Sequence, residues 1–270
     1  METEAPYGAQ SIRRALAILR IVAAGRDVGL SLQQVAQATG LSRPTVHRIL
    51  QTLVSEGVAE QSPGTKRYLV GEQIPLLALA RPRRSLLDDV ATPILDRVAR
   101  DLGDTVFLTI RTQMDTLCLA RRLGPYPIQI LVIEVGARRP LGVSSAGLAI
   151  LSSLSADEAG EILSVNAPRM AAFGTDPTKA AAQVATSRLR GYALGDPGLV
   201  PGTKAISVSV PPGPQHSAAV LTLAAIRERL ASWREPAVVM ALRKAAEDVA
   251  AGLAARKRRS SSQARYSASE

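Results

Sequence analysis

Aromatic side chains make up only 3 % of this 270-residue chain. That scarcity argues against a platform for single-stranded nucleic acid, which needs several Phe, Tyr or Trp faces for stacking. Cysteine is scarcer still. A lone Cys118 excludes an internal disulfide and suits a reducing cytoplasm; two histidines beside it leave no credible zinc constellation, so neither metal nor cofactor is expected. Long apolar runs are missing too. The stretch 15–24 is broken by Arg20 and 128–133 is short, against roughly 20 apolar residues for a bilayer span. The first ten residues carry Glu2 and Glu4 in place of a basic region and do not read as a signal peptide. The expected setting is cytoplasmic, without a membrane partner.

Catalytic signatures are equally thin. The run GVSSAG at 142–147 misses the G-x-S-x-G spacing of a nucleophile elbow. GLVPGTK, from Gly198, lacks the glycine spacing and the Lys-Ser/Thr end of a P-loop. A Ser–His pair involving His216 is the residual enzymatic option. The chain is expected not to be an enzyme; the alternative is a hydrolase-like enzyme with an accessory DNA-binding domain.

What is present is basic charge at the two ends. Of the net +10, residues 1–84 hold +5, 85–255 only +1, and 256–270 hold +4. Charge on a small N-terminal unit suits a polyanion, whose condensed counterions are released on binding, although it serves solubility equally well. Apolar periodicity predicts helices at 11–24, 31–38 and 42–55, and strands at 57–60 and 66–70 around Ser62, Pro63 and Gly64. Residues 1–71 thus read as one unit, followed by a linker at 72–84 in which Pro75 and Pro82 limit helices. A mixed domain at 85–255 follows, with helices near 85–102, 146–154, 157–163, 177–190 and 236–253. Its strands are expected near 105–110, 116–121, 128–133, 204–210 and 218–225. The basic, Ser-rich, apolar-poor end at 256–270 is expected to be disordered.

Helix, helix, helix and hairpin is the order of a winged helix-turn-helix. The steep crossing of its second and third helices needs a turn, and Gly40 supplies it. Ala36 is small where the helices approach, and Val35, Leu41, Val46, Ile49, Leu50 and Leu53 then face inward. Ser42 suits the N-cap, and Pro44 in the first turn needs no N–H partner. Outside that stripe stand Arg43, Thr45, His47, Arg48 and Gln51, which with Ser42 are the candidates for bases and phosphates in a major groove. Lys66 and Arg67 beside the hairpin turn are placed to meet the flanking backbone, with Tyr68 packed beneath. A polar outer face can also serve protein contacts; turn, small residue, hairpin and charge together favour DNA.

These residues carry a resemblance. The runs SIRRALAILRIV, LSLQQVAQATGLSRPTVHRILQTLVSEGVAE and KRYLVG resemble, almost position for position, the winged-helix domain of the IclR family of bacterial transcriptional regulators. ARRPLGVSSAGLAILSSLS, LRGYALGDPGLVPGTKAISVSV and AAVLTLAAIRERL are similar to blocks of its effector domain, so the likeness spans Ser11 to Leu253. It implies an α+β chain, an N-terminal winged helix-turn-helix plus a C-terminal GAF/PAS-like mixed α/β effector-binding domain. It implies a double-stranded DNA operator and a small-molecule effector as partners, and a homodimer or tetramer. The effector positions it implies are Ser144, Ser145, Ala146, Gly147, Leu148, Asp196, Ala205, Thr222 and Ala224. Ala205 and Ala224 stand where some members carry Cys and Ser, and Gly195, Pro197 and Gly198 surround Asp196 where acids are common. This thinner polar set points to a metabolite or aromatic effector that is partly apolar. Core packing is the alternative role for residues so small.

Overall fold

The computed structural model describes residues 9–79, 86–213 and 218–266. The chain divides into two units, 1–83 and 84–270. In the first, α1 (Gln10–Ala24) and a 3-10 turn (Arg26–Val28) precede α2 (Leu32–Thr39) and α3 (Arg43–Ser55). Serine sets where α2 begins. Ser31 Oγ accepts from the Gln34 N–H at 3.3 Å while Gln34 Oε1 accepts from the Ser31 N–H at 2.9 Å, and such a cap contributes about 1 kcal/mol. Glycine sets where it ends. Gly40 takes φ +66°, and a β-carbon there would meet nothing within 4 Å, so conformation and not space demands glycine.

The wing is a small sheet. β1 (Ala59–Gln61) pairs antiparallel with β2 (Tyr68–Val70), and Leu30 also bridges to Tyr68 through bonds of 3.0 and 2.8 Å. Ile18, Val22, Val35, Val46, Leu50 and Tyr68 are buried in one core, with Leu41, Ile49 and Leu53 half-buried at its edge. The stretch read as a linker contains α4 (Gln73–Leu79). Pro75 lies in its first turn, where an N–H would have no partner in any case.

The second unit is a six-stranded antiparallel sheet between helices. Its strands are β3 (Thr105–Thr112), β4 (Asp115–Arg122), β5 (Arg138–Pro140), β6 (Ala193–Gly195), β7 (Thr203–Ser209) and β8 (Ala219–Ile226). Their order is β5-β4-β3-β8-β7-β6, so the first and last strands meet at the centre. Alternation along each strand feeds two cores. Leu108, Leu221 and Leu223 pack with α5 (Leu86–Leu102) and α9 (Glu235–Tyr266). Val220 on the other face joins α6 (Ser145–Ser152), α7 (Ala156–Met170) and α8 (Pro177–Arg190). Asp104, 1 % exposed, is clamped by Arg229 at 2.5 Å and Arg234 at 2.7 Å, which both also donate to Leu102 O.

Two expectations need correction. Residues 128–133 form no strand. Their backbone bonds to side chains in place of a neighbouring strand: Thr105 Oγ1 accepts from the Ile130 N–H, Arg121 donates to Leu131 O and Ile133 O, and Arg139 donates to Val132 O. At the C-terminus, α9 continues to Tyr266 where an unstructured tail was expected from 256. Past Gly252 the chain holds neither Gly nor Pro, and its Ala, Arg, Lys and Gln residues are good helix formers that need no apolar face to extend a helix already begun.

Candidate functional site

The polar face of α3 stands clear of its core. Arg43, His47, Arg48 and Gln51 are exposed and Thr45 is half-buried. Among the described residues these four exposed side chains make one hydrogen bond, Gln51 Nε2 to His47 Nε2 at 3.5 Å. Ser42 has the extended backbone of an N-cap, but its side chain makes no capping bond. Its hydroxyl instead pairs with Thr45 Oγ1 at 2.8 Å, because two hydroxyls three residues apart satisfy one another. In the wing, Lys66 is exposed at a left-handed φ of +56°. Arg67 differs from it. Its Nη1 donates to Gly29 O at 3.0 Å, tying the wing to the loop before α2, so this guanidinium has a structural bond beyond any contact outside the chain.

In the second unit a cavity of about 630 Å³ opens between the start of α6 and the sheet. Ser144, Ser145, Ala146, Leu148, Asp196, Ala205, Thr222 and Ala224 all line it. Gly147 does not. A β-carbon there would lie 3.1 Å from Gly142 N, and its N–H is taken by Ser144 Oγ at 3.2 Å, so it packs α6 against the preceding turn. The floor follows from strand register, which sets Ala205 opposite Ala224 and Ser207 opposite Thr222. Ser207 donates to Ser145 Oγ at 2.9 Å. Its one proton is then used, so the 2.7 Å bond to Thr222 is donated by Thr222. Protons thus run from Thr222 to Ser207 to Ser145, and the Ser145 O–H is the open end. Phe107, Ile130, Val132 and Ile133 supply an apolar wall.

Charge around the cavity is mostly compensated. Asp196 pairs with Arg227 at 2.6 Å and Lys204 at 3.5 Å, and Lys204 also meets Glu235 at 2.5 Å. Burial works against the Lys204 charge, but the Glu235 and Asp196 carboxylates outweigh it and hold the ammonium above the usual lysine pKa. Asp196 is therefore part of an ion network and less available to a ligand than its sequence position suggests. Arg139 is different. Its guanidinium lies 5.3 Å from the Phe173 ring centroid, and Nη2 donates to Val132 O at 3.2 Å. Its Nε is buried without an acceptor, and burial lowers its pKa from the ordinary arginine value.

Sequence reasoning missed Ser207 and Arg139. Ser207 lies two residues past Ala205 on the same strand face, so strict alternation along β7 points to it. Arg139 carries no such signal. Its neighbour Arg138 looks equivalent in sequence, yet turns to Thr112 Oγ1 at 2.9 Å. The serines of GVSSAG have other roles, Ser144 as the cap of α6 and Ser145 as the partner of Ser207, while His216 lies outside the described residues. Among the described residues, no three His, Cys, Asp or Glu side chains cluster as metal ligands, and no helix is long and apolar enough to cross a membrane.

Comparison with known proteins bears on both units. Residues 11–63 match the IclR helix-turn-helix domain, and 83–251 the bacterial transcriptional regulator IclR C-terminal domain. The HTH-type transcriptional regulator BhcR of Paracoccus denitrificans is 30 % identical over 254 residues, covering 93 % of this chain and 89 % of that protein. The acetate operon repressor of Salmonella typhimurium is 24 % identical, covering 89 % and 88 %. Among solved structures, an IclR family transcriptional regulator from Brucella abortus superposes with a TM-score of 0.73 at 22 % identity, over 93 % of this chain and 95 % of that one. An IclR homolog from Microbacterium hydrocarbonoxydans, complexed with 4-hydroxybenzoate, gives 0.70 at 24 % identity, over 91 % and 100 %.

Proposed function

This chain belongs to the IclR family of bacterial transcriptional regulators, which join a helix-turn-helix to an effector-binding domain, and on that premise we propose how it reads DNA and senses its effector. The family are regulators and not enzymes, and nothing supports the enzymatic alternative. DNA is read from within residues 1–71. There α3 enters the major groove with Arg43, His47, Arg48 and Gln51 towards base edges, Ser42 and Thr45 near phosphate, and Lys66 on the flanking backbone. A homodimer, or a tetramer of two such pairs, engages a palindromic or repeated operator in the cytoplasm.

The effector sits within 85–255, and the single observation carrying this reading is the cavity of about 630 Å³ with an apolar wall and few polar groups. That composition suits a partly apolar small molecule. The Microbacterium homolog complexed with 4-hydroxybenzoate lends support as a protein of the same fold holding a molecule of that kind. To change DNA affinity, the effector must bind two states of the protein unequally. Footprinting the purified protein on DNA upstream of its own and neighbouring genes is the test, repeated with 4-hydroxybenzoate and other aromatic acids. A discrete protected site, altered by a ligand, is expected. Protection without sequence preference would refute the DNA reading, and a site indifferent to every ligand would count against the effector reading.

A further inference from the structure

The long helix α9 changes character along its length. From Glu235 to Leu253 it holds Arg243 and Lys244 against Glu235, Glu247 and Asp248, and Leu253 is its last residue in the core. From 254 to 266 it holds Arg256, Lys257, Arg258, Arg259 and Arg265 and no acid. The match to the IclR C-terminal domain stops at residue 251, just before this change. Past Leu253 the helix has no apolar face to bury. Ala254, Ala255 and Arg256 are exposed, and the long side chains that follow are cationic apart from Gln263 and Tyr266. Consecutive cations on one helix repel each other, and a polyanion laid along them relieves that repulsion.

The basic segment leaves the second unit at a defined end. α5 and α9 lie antiparallel, since Arg97 meets Asp248 at 2.8 Å and Arg256 meets Asp89 at 3.5 Å. Asp89 is in the first turn of α5, so the segment departs beside the start of that helix. Through the same start the chain connects to the helix-turn-helix unit: only 80–85 separate α4 from α5, and their sequence adds Arg81, Arg83 and Arg84. The acids of this turn are already engaged, Asp88 with Thr92 at 3.4 Å and Asp89 with Arg256. Lys257, Arg258, Arg259 and Arg265 have no acid within four residues along the chain. We propose that residues 254–266 are a second DNA contact, in which these four cations meet the phosphate backbone beside the half-site read by α3. As a helix the segment is roughly 20 Å long, enough to follow about six base pairs of duplex. It adds affinity without base preference. An anionic membrane surface fits it less well, because an interfacial helix needs the apolar face that this one lacks.

This proposal rests on the DNA reading above, and the two fail differently. Affinity is measured by fluorescence anisotropy on the full chain, across a salt series, with the footprinted operator and with a scrambled duplex of equal length. Lys257→Gln, Arg258→Gln, Arg259→Gln and Arg265→Gln together should weaken both by about ten-fold at low salt and make the slope of log K against log salt shallower by about two or more. The ratio of operator to scrambled affinity should not change. Arg258→Lys, Arg259→Lys and Arg265→Lys together should keep the parent slope, since a phosphate contact of this kind asks for charge and not for a planar fork. Thermal melting should be unmoved in both variants, because the segment lies past the last core residue of α9. An unchanged salt slope in the glutamine variant, with the operator footprint intact, would overturn the proposal and spare the DNA reading. Loss on the operator alone would overturn it too, by making the segment a base reader. If the parent but not the glutamine variant bound vesicles of phosphatidylglycerol and phosphatidylcholine, with DNA slopes equal, the segment would be a membrane contact instead. If the parent protects no DNA site, the proposal and the DNA reading fall together.

Discussion

Replacing Arg43 by alanine separates base reading from phosphate contact. Arg43 opens α3, is exposed, and its side chain forms no hydrogen bond or ion pair among the described residues. Its removal should leave stability within about 0.5 kcal/mol of the parent, as for surface substitutions away from special features. A guanidinium pairing bidentately with guanine contributes about 1–3 kcal/mol of discrimination, so affinity for the operator should fall by roughly 5- to 150-fold. The assay is fluorescence anisotropy on the footprinted operator and on a scrambled duplex of equal length, across a salt series. Loss on the operator should exceed loss on the scrambled duplex, and one base preference should relax. Equal losses on both, with the slope of log K against log salt reduced by about 0.9, would make Arg43 a phosphate contact and refute the argument from its place at the helix start.

The remaining predictions reach both units. Lys66→Ala should weaken operator and scrambled duplex alike and lower the salt slope by about one, with stability unchanged. Arg67→Ala should also lower stability by about 1 kcal/mol in urea titration, because it removes the bond to Gly29 O; unaltered stability would show that bond to be idle. Asp104→Ala should cost about 3–5 kcal/mol, since it strands the Arg229 and Arg234 guanidiniums at a site 1 % exposed, and a loss below about 1 kcal/mol would mean water replaces the carboxylate. Ala224→Leu adds three carbons to the cavity face, so effector affinity should drop at least about ten-fold, a loss of 1.4 kcal/mol or more, while operator binding without effector persists. Retained effector affinity would put the ligand elsewhere.

Local chemistry made much of this protein legible before its structure. The cap at Ser31, the turn at Gly40 and the apolar stripe through Val35, Val46 and Leu50 depend on residues a few positions apart, so they can be read along the chain. The neutral large domain, and the small residues at the start of α6, could be read the same way. Segments whose partners lie far away could not. The stretch 128–133 has the composition of a strand, yet Arg121 and Arg139 take its carbonyls, and no local pattern announces that competition. Helix continuation past Leu253 followed from propensity, although low apolarity had suggested disorder.

Residue by residue, then, the sequence alone determined the three helices and the wing of the first unit, which α3 side chains cannot be core, and to which family the chain belongs. Only the tertiary structure decided how polar groups are shared. It committed Arg67 to Gly29 and Asp196 to an ion network, turned Gly147 away from the cavity, and left Arg139 with a buried proton unmatched. The reason is physical. Secondary structure arises from contacts close in sequence, whereas the state of a buried charge depends on every strand and helix folded around it.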